Sequence, residues 1–418
     1  MSIEPDILRY VGVYEEPDGS YQVDHSATPG DFLALPYEEG TLDAKGARTG
    51  FDPMAGKIRR DGHSKKVLGP RACTVALATK LHSHGLDLDG DVAPPTTSTW
   101  ALLRVLKAIM GGSIATTDES AQTTVQAGST TTTDVEVTTG HGVRFQAGGA
   151  IAVPVVSGSS ALEAREVLSV AGDVVTVKEA FSATPITGGV VRGAVTVYLT
   201  EDPKTALQWH VEGREATDGA IFRGTQGGFS ITLPIGELGQ FAFQLAGASW
   251  ARLGSSSITI PNYTLFEPIA LDPVEVHVPT IGATTLVSLE ASEIAIEPQI
   301  AYAPQKSGKA TETVARMVRQ PARPVIQGSF LVPYEDDTWY TARDDREDRA
   351  VFVQAGNLVG AGGGICLFSI PTVQITDVQP APSGENVAGQ RVFFEGRHDE
   401  EIGGSTEVGY SAFRMHFF

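Results

Sequence analysis

"GTQGGFSITLPIGELGQFAFQLAGASW" spans residues 224–250 and decides how the rest of the chain is read. Phe229, Ile231 and Leu233 alternate with small or polar residues. A Pro-Ile-Gly-Glu-Leu-Gly break follows, and then Phe241, Phe243 and Leu245 alternate again. Period-two alternation on both sides of a glycine turn predicts a β-hairpin with one apolar face. Ala242, Ala246 and Ala248 would keep one face thin, whereas the phenylalanines suit a core.

Composition points the same way. The chain has 418 residues, 41% hydrophobic but only 7% aromatic, with 46 glycines. That favours many short strands joined by glycine turns over long helices. The net charge of −19 argues against clamping nucleic acid, because affinity for phosphate comes mainly from Lys and Arg. Cys73 and Cys366 lie far apart and are expected as unbridged, buried thiols, which fits folding in a reducing compartment. "MSIEPDILRYVGVYEEPDG" has neither the basic nor the apolar region of a signal peptide, and no run approaches the ~20 apolar residues of a membrane helix.

Strands are expected around Ile7–Val13, Phe32–Leu35 and 67–81. Residues 40–66 lack any hydrophobic period. They hold seven basic residues (Lys45, Arg48, Lys57, Arg59, Arg60, Lys65, Lys66) against three acidic ones, and read either as a solvated surface loop or as an extended arm that docks on an acidic neighbour. "TSTWALLRVLKAIMGG", 97–112, predicts a helix capped by Thr97, Ser98 or Thr99 and stopped by its glycines. A Thr/Ser/Gln-rich connector leads into short strands over 135–197: Val135–Val137, Val143–Phe145, Ala150–Val156, Arg165–Val170, Val174–Val177 and Val190–Val197. Their spacing predicts a small inserted β-barrel-like domain, 134–197. Later come "TALQWHVEG", "AIFRG", an alternating stretch at 285–304, a strand at 323–333, a helix at about 344–358, a second hairpin in "ICLFSIPTVQITDVQP" and "GQRVFFEGRHD", and a closing strand in "SAFRMHFF". The order strand, helix, strands, hairpin occurs twice. The expected domains are therefore 1–133 with 198–250, the insert, and 251–418.

Candidate chemistry is thin. His82 and His84 have i, i+2 spacing but no evident third ligand, so they read as surface histidines. "DLDGD", 87–91, misplaces the glycine of a calcium loop. "GAGGGI", 360–365, precedes a strand, not the helix a phosphate cradle needs. The carboxylate-rich "EDDTWYTARDDREDR" reads as a solvated face. No catalytic, cofactor or metal site is expected.

The order of these motifs resembles the tail tube proteins of long-tailed, non-contractile bacteriophages. The likeness is carried by 67–81 and 198–400. It rests on the run from "YLTEDPKTALQWHVEG" through the quoted hairpin, with Gly224, Gly227, Phe241, Phe243 and Gly247, and then on "LVSLEASEIAIEPQI", "ARMVRQPARPVIQGSFLV" and "RVFFEG". The resemblance implies a mainly β, tail-tube-type β-sandwich or half-barrel, duplicated, each copy with a flanking α-helix. Chains would form homo-trimeric or homo-hexameric rings whose sheets join edge to edge, with Phe229, Ile231, Leu233, Phe241, Phe243 and Leu245 in the inter-subunit sheet. Rings would stack through Lys57, Arg59, Arg60, Lys65 and Lys66. Implied partners are further copies of itself, a tape measure protein, and tail terminator and distal tail proteins; genome DNA passes without specific binding and no membrane is engaged. The place is the virion tail, after synthesis in the host cytoplasm. The insert would decorate the outside, so that removing 134–196 leaves rings intact. A distal tail or baseplate ring protein, a carbohydrate-binding β-sandwich and a glycosidase are the competing readings.

Overall fold

Alternation at the hairpin becomes orientation. In the computed structural model Phe229, Ile231, Leu233, Phe241, Phe243 and Leu245 are all buried, while Ser230, Thr232, Ala242 and Gln244 lie on the more exposed opposite face. Phe241 and Phe243 stack with centroids 5.9 Å apart, and Phe229 packs across both. Each fully buried Phe or Leu contributes roughly 1.5–3 kcal/mol of transfer free energy. The structure describes residues 2–3, 8–16, 32–36, 39–50, 66–82, 95–115, 122–200, 205–213, 220–252, 268–269, 271, 274–281, 289–300, 302–306, 314–319, 325–357, 364–384, 387–398, 408 and 410–418.

The first half contains β1 (Ser2–Ile3), β2 (Leu8–Glu16), β3 (Leu33–Ala34), β4 (Glu39–Gly50), β5 (Lys66–Lys80), α1 (Ala101–Met110) and β6 (Gly111–Ala115). Helix α1 is buried except at Lys107. Trp100 is its N-cap and no hydroxyl caps it; Thr97, Ser98 and Thr99 belong instead to a turn in which the Thr96 carbonyl accepts from the N–H groups of Thr99 and Trp100. Gly111 ends the helix at φ 102°, a conformation other residues adopt only with strain.

The inserted domain follows with β7 (Asp134–Glu136), β8 (Ala150–Val153), β9 (Glu163–Ala171), β10 (Val174–Val177) and β11 (Arg192–Gly193). The sheet order is β11-β8-β9-β10-β7. Thr124 bridges Val190 and Val125 bridges Val137, which joins the sheet's two ends into a short barrel around Val135, Ile151, Val167, Val175 and Phe181. Two expectations are corrected. Residues 142–144 form a 3-10 turn, not a strand, because the Asp173 carboxylate accepts from the N–H groups of Gly140 and Gly142. The domain runs from about 123 to 193, not 134–197, since Thr124 and Val125 close its barrel and the strand at 195 belongs to the body.

The body resumes with β12 (Val195–Leu199), β13 (Ala206–Gly213), β14 (Ala220–Pro234), β15 (Gln240–Gly247) and β16 (Ser249–Arg252). The second half comprises β17 (Val274–His277), β18 (Glu293–Gln299), β19 (Tyr302–Lys306), β20 (Val314–Arg319), β21 (Val325–Pro333), α2 (Thr338–Asp344), β22 (Asp348–Ala355), β23 (Cys366–Gly384), β24 (Val387–Arg397) and β25 (Arg414–Phe417). The helix expected at 344–358 is displaced. Helix α2 precedes it, anchored by buried Trp339 and Ala342. "RAVFVQA" forms β22 because it is buried on both faces, as a continuous apolar strand should be.

The fold is mainly β. One sheet runs β4-β5-β15-β14-β18-β21-β24-β23, and a second runs β6-β12-β25-β23-β22-β17. The long strands change partners along their length: β23 serves both sheets, and the first part of β14 pairs with β13 and β16. A single hydrophobic cluster from Val11 to Phe417 fills the space between. The two halves therefore share one core and are not separate domains.

The halves nevertheless follow one strand plan. The pairings β2–β13, β13–β14, β14–β15, β14–β16, β15–β5 and β5–β4 recur in order as β17–β22, β22–β23, β23–β24, β23–β25, β24–β21 and β21–β18. Helices α1 and α2 each follow the outer hairpin.

Candidate assembly surface

The residues expected at a subunit boundary are core residues. Strand β15 pairs with β5 along Gln240–Gly247, and the end of β14 pairs with β18 through Ile231↔Ile296 and Leu233↔Ile294. Both flanks of the quoted hairpin are thus occupied within the chain. Alternation reports which face of a strand is buried; it carries no information about which edge is paired.

The open edges lie elsewhere. Among the described residues, the outer side of β4 carries only β1, at Ser2↔Asp43 and Ile3↔Leu42. The outer side of β23 beyond Gln374 carries no strand among the described residues. By the repeated plan, β4 corresponds to β18 and β23 to β14. Glu39 pairs with Ala78 as Glu293 pairs with Leu331, and Gly247 opposite Cys73 corresponds to Gly396 opposite Ile326. The join between halves, β14 to β18, is therefore a contact between the same two kinds of edge that remain open at β23 and β4. In that register Thr41 corresponds to Ala295, and Ala381 corresponds to Thr232. Thr232 and Ala295 face each other directly at the internal join.

Strands β4 and β5 pair out to Gly50↔Lys66, so part of the expected arm is a β-hairpin and not a loop. Lys57, Arg59, Arg60 and Lys65 fall outside the described residues, as does the side chain of Lys66 at the start of β5. The face of the first sheet opposite the core is largely small and polar, with Thr74, Ala76, Ser230, Thr232, Ala242, Gln244, Ala295, Glu297 and Gln327, and carries Leu331 and Phe393 as larger apolar residues. Arg391 pairs with Glu293 there at 3.0 Å. Ala248 departs from expectation, being fully buried beside Ala246 and Tyr302. A shallow groove of about 280 Å³ opens where β23 bulges, lined by Gln327, Asp377, Phe393 and Glu395.

The inserted domain sits on the other side of the molecule. Ala150, Ala152, Leu162 and Ala164 pack against Ala350, Phe352, Ile365, Leu367 and Phe418, the face of the second sheet turned away from the main core. Gln354 accepts from the Ala164 N–H at 2.7 Å and donates to the Leu162 carbonyl at 2.9 Å. Glu166 and Arg414, both fully buried, meet at 2.7 Å.

Sequence candidates for chemistry resolve into structure. His82 is buried, not a surface residue; it bridges Pro268, and desolvation lowers its pKa to about 4. His84 and residues 87–91 lie outside the described residues. Cys73 and Cys366 are buried and unbridged. The carboxylates around α2 are mostly exposed. Among the described residues no group of three His, Cys, Asp or Glu side chains could hold a metal, and no helix is long and apolar enough to cross a membrane. The open edges were not read from the sequence, although the prolines of "QPAPSG", 379–384, are a signal for an edge strand.

Compared with known protein families and with curated proteins, the sequence matches no family and no individual protein at a significant level.

Proposed function

We propose that this chain is a structural subunit that joins further copies of itself edge to edge into rings, and that stacked rings form the tail tube of a bacteriophage. The observation that carries the reading is the internal join of β14 to β18. It is a pairing whose two kinds of edge recur at opposite ends of the same sheet, where β23 beyond Gln374 has no partner strand among the described residues and β4 carries only β1, at Leu42 and Asp43. Pairing β23 of one copy with β4 of the next repeats that join, and closure of the ring removes the exposed edges. Three chains would carry six repeats of the plan. The small, polar face of the first sheet would line the channel, and the inserted domain would lie outside. A net charge of −19 per chain would keep DNA from adhering to the wall within the roughly 8 Å reach of charge at physiological salt.

Cysteines at Thr41→Cys and Ala381→Cys test the pairing. Directly opposed residues in an antiparallel pair lie within disulfide reach, and the two native thiols are buried. Oxidation of the concentrated double variant is expected to yield covalent closed oligomers, with rings or tubes under the electron microscope. Dispersed monomers that fail to cross-link at these positions or their immediate neighbours would refute the reading.

A further inference from the structure

A buried arginine sits on the last strand of the chain. Strand β25 fills the space between β12 and β23, with Met415 facing Val197 on one side and Phe368 on the other. It completes the second sheet, and all of its residues are buried. Met415 and Phe417 enter the main core. Arg414 and Phe418 turn toward the inserted domain, where Phe418 joins the small cluster beneath it and its N–H donates to the Ile365 carbonyl at 2.9 Å.

Arg414 is satisfied from the inserted domain and from the turn just before the strand. Its Nη1 donates to Glu166 Oε1 at 2.7 Å, and its Nε and Nη2 donate to the Val408 carbonyl at 2.9 and 2.7 Å. Ser369 of β23 donates to the other Glu166 oxygen, and the Lys178 ammonium lies 3.9 Å from the first. Glu166 belongs to β9, so one carboxylate gathers three parts of the chain that are distant in sequence. Removing one partner of a buried ion pair leaves an uncompensated charge and is strongly destabilising, whereas replacing both by apolar groups is often neutral.

We propose that the inserted domain is the seat of the C-terminus: β25 is a strap that closes the second sheet only when Glu166 is presented to Arg414. Folding of the insert and closure of the body are then one event, and the insert is a structural wedge. The inference is independent of the tube reading.

The test follows release of the C-terminal residues by a carboxypeptidase, together with hydrogen exchange, on the full chain. Wild type should resist digestion, since Phe418 is buried. Glu166→Gln and Arg414→Met should each release the C-terminus at least tenfold faster. Exchange should accelerate in 195–199 and 366–370 while the 226–246 hairpin stays protected. Glu166→Leu combined with Arg414→Met and Lys178→Met, which leaves none of the three buried charges behind, should restore resistance. Val105→Ala, which loosens α1, should not release the C-terminus selectively. If Glu166→Gln gives no folded protein, Ser369→Ala removes one bond to the same carboxylate and should give the same selective release at smaller amplitude. A C-terminus as protected in the Glu166 or Ser369 variants as in wild type, or released equally by Val105→Ala, would overturn the proposal.

Discussion

Histidines show how much of this molecule depends on keeping polar groups uncharged. His82 and His210 are buried, and desolvation lowers both pKa values to about 4 from 6.5. His416 is pushed well below 6.5 by burial and by the neighbouring Arg414 charge. In the unfolded chain each would titrate near 6.5. Below that pH the unfolded state binds more protons than the folded one. Stability is therefore fully present above about 6.5 and is lost as pH falls toward 4. For His82 and His210 the loss is up to about 3 kcal/mol each. Urea unfolding at pH 7.5 and pH 5 should show a marked fall in midpoint. His210→Phe should flatten the dependence, because His210 already packs edge-on against Phe32 at 6.0 Å. An unchanged slope in that variant would mean that other groups govern acid sensitivity. Nothing in "LHSHG" shows this, because the groups that bury His82 come from elsewhere in the chain: Pro268 across a β-bridge and Trp100 edge-on at 6.1 Å.

At the level of elements, local pattern is legible where a period or a turn residue marks the element. The hairpin, α1 and the strands of the insert follow from alternation, from helical spacing and from the glycine at 111. Legibility fails at β22, which is buried on both faces. "RAVFVQA" carries no period that separates strand from helix, so the pattern predicts helix where β22 runs and puts α2 too late. The insert is legible in the sequence but its limits are not, because Thr124 and Val125 join its barrel by isolated bridges and β12 pairs with β6 and β25 of the body. A consequence concerns the proposed removal of 134–196. That cut would delete the first two residues of β12, uncover Phe352, Leu367 and Phe418 and leave Arg414 buried without Glu166. The shortened chain should be recovered as aggregate, measured as the soluble fraction after expression. Soluble, cooperatively folding protein would show that the body stands without its wedge.

For the molecule as a whole, the repeated plan was visible as an order of motifs, whereas the open edges were not. An edge is defined by which partner is missing, and partners here come from opposite ends of the chain. The two edges differ in a way that bears on the proposed assembly. Strand β23 ends with Pro380 and Pro382, both exposed, which strip two N–H donors from the strand. Edge prolines discourage unplanned strand pairing. An edge so weakened would pair poorly between two isolated chains, and would hold only when ring closure or stacking supplies a second contact at once. The chain would then stay dispersed when dilute and assemble with a sharp concentration threshold. Pro380→Val combined with Pro382→Val restores both donors without adding charge. Its expected effect is a lower threshold for polymerisation, read by light scattering against concentration, with growth starting from small open oligomers. If the threshold is unchanged, the proline nitrogens do not limit pairing at this edge, and control of assembly must come from the β4–β5 hairpin.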